Sequence, residues 1–189
     1  MSTHELSDED LMRLLGQGHD LALNDLMKRW QKPLLSFTNR YTQNTSEAAD
    51  LAQETFVKVY QNRAKYRHEG KFSTWMFTIA VNLCRNHARW KSRHPSLSSA
   101  EEDAELRVNL PTDAATRPDS QSIRSDDASK VREAIQDLSH DLRTAILLFE
   151  YEGLSHTEIA VTLDCSTKAV ETRLYRARQI LREKLKDLL

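Results

Sequence analysis

The chain has 189 residues and a formal net charge of −1, with 39% hydrophobic and 29% charged residues. That length holds one domain or two small ones, each with a modest core. No apolar run approaches the roughly 20 residues that cross a bilayer, and the acidic start MSTHELSDEDLM lacks the basic-then-apolar order of a secretory signal. A soluble chain without direct membrane insertion, located in the cytoplasm, is therefore expected.

Ser7 with Asp10 reads as a capping box before LMRLL, and Gly16 and Gly18 end that short helix. A helical stretch follows from about Asp20 to Tyr41, which Pro33 is expected to break or kink. From Ser46 to Asn62 the residues Ala48, Leu51, Ala52, Phe56 and Val59 share one face. Asp50, Gln53, Glu54, Val57 and Gln61 point away from it, an acidic face with an outward valine that suits a protein contact or plain solvent exposure.

The stretch YQNRAKYRHEGKF interleaves Tyr60, Tyr66 and Phe72 with Arg63, Arg67 and Lys71, a pattern able to stack unpaired bases while cations hold phosphates. It leads into a helix over 71–93. There Phe72, Trp75, Met76, Ile79 and Leu83 form an apolar stripe, and Asn82, Arg85 and Arg89 gather on a different side. Phe77 and Val81 lie nearly opposite the stripe, so packing on two sides is expected. Positions 60–94 hold 8 basic groups against 1 acidic one, a local positive zone that net charge conceals.

Residues 95–128 hold three of the four prolines, with 8 acidic and 3 basic groups, and read as an acidic flexible linker. As a coil of 34 residues it would span roughly 30 Å, enough for two domains with separated sites. A short helix around Glu101–Val108 is a further expectation. The chain thus divides into 1–94, the linker 95–128, and 129–189.

The last part reads as four helices: Lys130–Asp137, His140–Tyr151, His156–Leu163 and Thr167–Leu188. Gly153 closes the second, Ser155 with Glu158 caps the third, and Ser166 caps the fourth after a tight turn at Asp164 and Cys165. A short helix, a turn and a longer helix with a polar start is a helix-turn-helix. On the long helix Val170, Leu174, Ala177, Leu181, Leu185 and Leu188 face the core. Lys168, Thr172, Tyr175, Arg176 and Gln179 lie opposite, with Arg173 and Arg178 flanking. Ser166 or Thr167 and the helix amides suit phosphates; Lys168, Thr172 and Arg176 suit base edges in a major groove. The expected fold class is all-α, two small helical domains joined by a linker, the C-terminal one containing the helix-turn-helix.

No catalytic residue is expected. There is neither a P-loop nor a dinucleotide-binding glycine pattern, and His140 beside Asp141 and His156 near Glu158 read as exposed helix-start residues. Cys84 and His87 sit one turn apart without a second ligand pair, so no metal, cofactor or small-molecule substrate is expected.

SEAADLAQETFVKVYQN, KFSTWMFTIAVNLCRNHAR and LSHTEIAVTLDCSTKAVETRLYRARQIL, in this order, resemble three segments of the extracytoplasmic-function (ECF) group of bacterial RNA polymerase sigma factors. The resemblance implies a dissociable specificity subunit that directs core polymerase to promoters and stabilises melting. It implies that Asp50, Gln53, Glu54, Val57 and Gln61 meet core polymerase, whose largest-subunit clamp and flap are the expected contacts. It places Tyr66, Arg67, Lys71, Asn82, Arg85 and Arg89 on the minus-10 single strand. Ser166, Thr167, Lys168, Glu171, Thr172, Arg173, Tyr175 and Arg176 fall to the minus-35 duplex. An anti-sigma factor and a role in stress response are implied as well. Lys168 and Ala169 stand where relatives often carry glycine, and Glu171 where many carry a cation; Glu171 suits a cytosine contact or the restraint of an arginine. A helix-turn-helix regulator acting without polymerase, or a helical adaptor, are the alternative readings.

Overall fold

A computed structural model describes residues 6–67, 70–94 and 119–188, the stretch 119–126 by its backbone alone. The expected linker segment 95–118, including the helix expected near Glu101–Val108, lies outside the described residues.

Helix α1 (Asp8–Gly16) begins at Ser7, whose Oγ accepts from the Asp10 amide at 3.1 Å. Gly18, at φ +91°, turns the chain into α2 (Leu21–Thr42). This helix runs unbroken through Pro33. Proline removes one backbone bond, but Leu26 before it and Leu34 and Phe37 after it are buried in one core, and that tertiary packing outweighs the local penalty. α3 (Thr45–Gln61) starts at Asn44, which accepts from the Glu47 amide at 3.0 Å. A single 3-10 turn, Arg63–Lys65, precedes α4 (Phe72–Arg93). The Glu9 carboxylate of α1 accepts from the Phe72 amide at 3.0 Å, so a neighbouring helix satisfies a donor that the start of α4 leaves open.

Leu11, Met12 and Leu15 of α1, Phe37 of α2, Val59 of α3, and Phe72, Met76 and Phe77 of α4 are fully buried together. Phe37 meets Phe77 edge-on at 5.3 Å, and Trp30 meets Phe72 at 6.1 Å while its Nε1 donates to Asp8. The expected α3 face is the buried one: Ala48, Leu51, Ala52, Phe56 and Val59 are all inside. On α4 the expected stripe is part of the buried surface, with Phe72 and Met76 inside, and the expected packing on two sides is observed. Phe77, Ala80, Val81 and Cys84 are in the core, whereas Trp75, Ile79 and Leu83 are half-buried, because α4 packs on α2 and α3 on one side and on a later helix on the other.

α5 (Asp119–Gln136) begins well inside the stretch expected to be linker. No glycine or proline occurs between Asp119 and Glu152, so nothing local stops a helix there. α6 (His140–Glu150), α7 (His156–Thr162) and α8 (Thr167–Lys184) follow, and a 3-10 turn, Lys186–Leu188, replaces the end expected of the last helix. Their core holds Leu138, Ile146, Leu147, Leu148, Ile159, Val170, Leu174 and Ala177. The two helical groups touch along two seams, α2 on α6 and α4 on α7.

Candidate nucleic-acid interface

The helix-turn-helix is built by caps. Ser155 and Glu158 form the reciprocal box: the Glu158 amide donates to Ser155 Oγ at 3.3 Å and the Ser155 amide donates to Glu158 Oε2 at 2.8 Å. Gly153, at φ +66°, ends the turn after α6. Asp164 takes the left-handed conformation at φ +48°, one of the few non-glycine types that does so readily, and the Cys165 amide donates back to the Ala160 carbonyl at 3.0 Å. Ser166 Oγ then accepts from the Ala169 amide at 3.2 Å and starts α8.

On α8, Val170, Leu174 and Ala177 are buried. Ser166, Thr167, Lys168, Glu171, Thr172, Tyr175 and Arg176 are exposed, Tyr175 at 64%. Arg173 differs from these. Its Nη2 donates to Asp141 Oδ2 at 3.0 Å and its Nη1 to Cys165 Sγ at 3.3 Å, so it ties α8 to α6 instead of standing on the outward face. Arg178 pairs with Glu150 at 2.8 Å over the Phe149 ring, and Lys184 with Asp137 at 2.6 Å. Glu171 restrains a lysine, Lys168 at 3.4 Å, rather than the arginine considered from sequence. Among the described residues, Arg176 and Arg182 are the cations of α8 without an acidic partner.

Asp50, Gln53, Glu54, Val57 and Gln61 share one exposed face of α3, with Val57 half exposed. The expected minus-10 group is less uniform. Tyr66 is buried, packed 5.1 Å from Trp75 and 6.4 Å from Phe72, and its hydroxyl donates to the Gly70 carbonyl at 3.0 Å; burial pushes that phenol up to about 12. Arg67, Asn82 and Arg89 are exposed. A cavity of about 600 Å³ opens beside Tyr66, Lys71, Thr74, Trp75, Glu158 and Val161, and the buried Thr74 hydroxyl in its wall has no protein partner. Among the described residues no three metal-ligating side chains gather. Cys84 is buried with its thiol pushed up to about 12 by burial, and His87 bonds Glu47 at 3.0 Å.

Lys71 and Arg85, the remaining residues expected on the minus-10 strand, contact the second helical group. Lys71 Nζ lies 2.9 Å from Glu158 Oε1; that lysine and Ser155 hold the Glu158 carboxyl down at about 2. Arg85 Nε donates to His140 Nε2 at 3.0 Å, and His140 Nδ1 sits 2.6 Å from the Tyr41 hydroxyl. His140 is thus half-buried in an inter-helix contact, not an exposed helix start, and burial with Arg85 beside it lowers its imidazole to about 4. Glu152, covered beside Arg40 at 3.7 Å, is raised to about 7 by burial. Sequence reasoning missed Tyr41, Gln136, His140 and Glu158 as contact residues; their partners lie dozens of positions away, where no local pattern reports them.

The described residues thus combine a helix-turn-helix, a second basic zone beside an aromatic-lined cavity and a separate exposed acidic face, features of the class of helix-turn-helix proteins. The Sigma-70 region 2 family pattern matches residues 26–94 and the Sigma-70 region 4 pattern matches residues 128–181. The RNA polymerase sigma-H factor of Pseudomonas aeruginosa is 34% identical over all of this chain and 98% of that protein. The ECF RNA polymerase sigma-E factor of Haemophilus influenzae is 32% identical over 98% of each. The chain belongs to the ECF RNA polymerase sigma factors of the sigma-70 superfamily, and it is a dissociable factor that directs RNA polymerase to promoters.

Two solved structures share the fold. CnrH, in complex with the cytosolic domain of CnrY, covers 95% of this chain and 97% of its own at 23% identity and a TM-score of 0.70. The sigma factor RpoE of Bartonella quintana, with the anti-sigma factor NepR, covers 86% and 96% at 23% identity and a TM-score of 0.63. The expectation of a purely cytoplasmic protein is corrected by the first: CnrH is held by a partner of which only a domain is described as cytosolic. Among the described residues no helix is long and apolar enough to cross a membrane.

Proposed function

We propose that the three surfaces divide promoter selection among themselves. The α3 face of Asp50, Gln53, Glu54, Val57 and Gln61 docks on core polymerase. The zone around Tyr66, Arg67, Lys71, Asn82, Arg85 and Arg89 holds the unpaired minus-10 strand, with the cavity beside Trp75 receiving an extruded base. Capture of that base offsets the few kcal/mol that extrusion costs and so stabilises melting. The outward face of α8 reads the minus-35 duplex through Lys168, Glu171, Thr172, Tyr175 and Arg176, while Ser166, Thr167 and the first amides of α8 meet phosphate. In this division residues 1–94 and 129–189 act as separate DNA-reading bodies when polymerase holds them.

The observation that carries the reading is α8 itself: a helix capped by Ser166 whose buried side is apolar and whose opposite side is exposed, polar and led by Arg176. An anti-sigma factor is part of the proposal, with the exposed α3 face as the surface it would cover; RpoE of Bartonella quintana was solved with such a partner. The test is reconstitution with core polymerase on a promoter library, scored by transcript starts. The reading requires starts downstream of two recurring elements. Tight duplex binding by the chain alone, with no initiation on adding core enzyme, would refute it.

A further inference from the structure

A cleft of about 880 Å³, a volume that suits a small ligand, is lined by the C-terminal half of α4 and by the second helical group. Arg85, Arg89 and Arg93 come from α4; Asp141, Asp164 and Arg173 come from the start of α6, the turn of the helix-turn-helix and α8. The three α4 arginines recur every four residues, so they stand in a row of about 12 Å along one helix face. Like charges at that spacing repel one another and oppose the helix, a repulsion that an anion in the cleft relieves. The protein itself leaves it standing. Among the described residues Arg89 and Arg93 have no acidic partner, and Arg93 Nε donates to the Arg89 carbonyl at 3.2 Å. Arg85 Nε donates to His140 Nε2 at 3.0 Å, but burial first and Arg85 next hold that imidazole at about 4, so a neutral ring leaves the guanidinium its full charge.

The facing group is charged differently. Asp141 neutralises Arg173 at 3.0 Å, and Asp164 has no cationic partner among the described residues. Positive charge is therefore concentrated on the α4 side, with a carboxylate on the other. A long polyanion filling the whole cleft meets Asp164, whereas a compact anion on the α4 row avoids it. Each guanidinium is a rigid fork of donors that matches phosphate oxygens two at a time, and three forks in a row suit a chain of linked phosphates better than a single one. We propose that this cleft binds a compact oligophosphate, either free or as the tail of a nucleotide, on the row Arg85, Arg89 and Arg93. The row shares two members with the surface proposed for the minus-10 strand, but the site does not rest on that reading: Arg93, which belongs to no DNA surface proposed above, completes it.

The test is isothermal titration calorimetry of the full chain with sodium tripolyphosphate at fixed ionic strength, with sulfate as the comparison anion. Wild type should bind tripolyphosphate at one site and more tightly than sulfate. Arg93→Ala should weaken that binding about tenfold, the loss of one charge-assisted contact, whereas Arg182→Ala, which removes an equally exposed and unpaired cation of α8, should leave it unchanged. Both variants should melt with wild type. Bound tripolyphosphate should also protect Arg89 and Arg93, but not Arg182, from an arginine-directed dicarbonyl reagent, read by peptide mass spectrometry. Adenosine triphosphate separates the two sources: tighter binding than tripolyphosphate at the same arginines assigns the site to a nucleotide, and equal or weaker binding assigns it to the free chain. The site is overturned if tripolyphosphate binds no better than sulfate, or if Arg93→Ala and Arg182→Ala weaken it equally, because the arginines then act only as a diffuse positive field. It is overturned as well if a single-stranded oligonucleotide protects Arg89 and Arg93 and tripolyphosphate does not, which gives the whole row to DNA.

Discussion

Arg173 and Arg176 sit three positions apart on one basic helix and should behave differently when cut to alanine. Arg173 is three-quarters covered, bonded to Asp141 and to the Cys165 sulfur. A partly exposed ion pair contributes about 0.2–1 kcal/mol, and the packed stem and sulfur contact bring the loss to about 1 kcal/mol. In a chain of this size that lowers the melting temperature by about 3 °C. Arg176 is exposed and has no acidic partner among the described residues, so its loss should change stability by less than about 0.5 kcal/mol. A base-edge contact is worth about 1–3 kcal/mol, which predicts a roughly 5- to 150-fold fall in discrimination between matched and scrambled minus-35 elements. Thermal melts followed by circular dichroism and run-off transcription with reconstituted polymerase measure the two quantities on the same preparations. The reasoning is refuted if Arg173→Ala melts with wild type while losing minus-35 discrimination as fully as Arg176→Ala.

Asp50→Ala with Glu54→Ala, both exposed, should weaken core-polymerase binding about tenfold in a titration and leave the melting temperature unchanged; unaltered affinity removes α3 from the docking surface. Leu174→Ala, at 1% exposure between α6 and α7, should destabilise the helix-turn-helix by about 2–5 kcal/mol in denaturant unfolding, with α1–α4 intact by proteolysis. The contact between the two helical groups should depend on pH through opposed groups. His140, faced by Tyr41, Arg85, Arg89, Asp141 and Arg143, is held at about 4, so its contribution is full above its ordinary 6.5 and is lost as pH falls from there towards 4. Glu152, raised to about 7, works the other way: its burial penalty is present above 7 and is relieved as pH falls to its ordinary 4.5. In wild type this contact should change little between pH 7 and 4.5 and fail below, where the low Glu158 contribution also goes. Glu152→Gln should already loosen the contact between pH 6.5 and 4.5, read as the Lys71–Glu158 amide that a water-soluble carbodiimide forms relative to the Lys91–Glu47 amide; a variant profile matching wild type contradicts this.

Features set by one or a few neighbouring residues were legible. Ser7, Ser155 and Ser166 mark helix starts because each satisfies an amide only three positions on, and the α3 face was readable because that helix buries a single side. On α4 the positions of Phe77 and Val81 opposite the stripe already pointed to packing on two sides, and both are buried, but the partial exposure of Trp75, Ile79 and Leu83 depends on which helices arrive there. Pro33 does not end α2, because the buried Leu26, Leu34 and Phe37 on either side outweigh the local penalty. The Tyr41–His140 and Arg85–His140 contacts join residues 99 and 55 positions apart, and only tertiary packing brings them together.

Charge shows the same division most sharply. The stretch 166–185 contains six cations, which reads as a nucleic-acid surface by count alone. Four of them are paired: Lys168 with Glu171, Arg173 with Asp141, Arg178 with Glu150 and Lys184 with Asp137. Arg173 and Arg178 reach back to α6 and Lys184 to Asp137 just past α5, and so brace α8 against its neighbours. Lys168 differs, because its partner is on the same exposed face and both side chains are mostly in solvent, where such a pair is worth little and DNA can displace it. In the proposed minus-35 reading, α8 would therefore offer Arg176 as the unpaired cation of its outward face and Lys168 as a releasable one, with Arg182, also without an acidic partner among the described residues, further along. An acidic Glu171 beside them favours a base edge that donates, such as cytosine N4, over a second phosphate. Sequence preference at the minus-35 site should follow this small mixed set of charges, and overall affinity should come from polymerase holding both halves of the factor on one promoter.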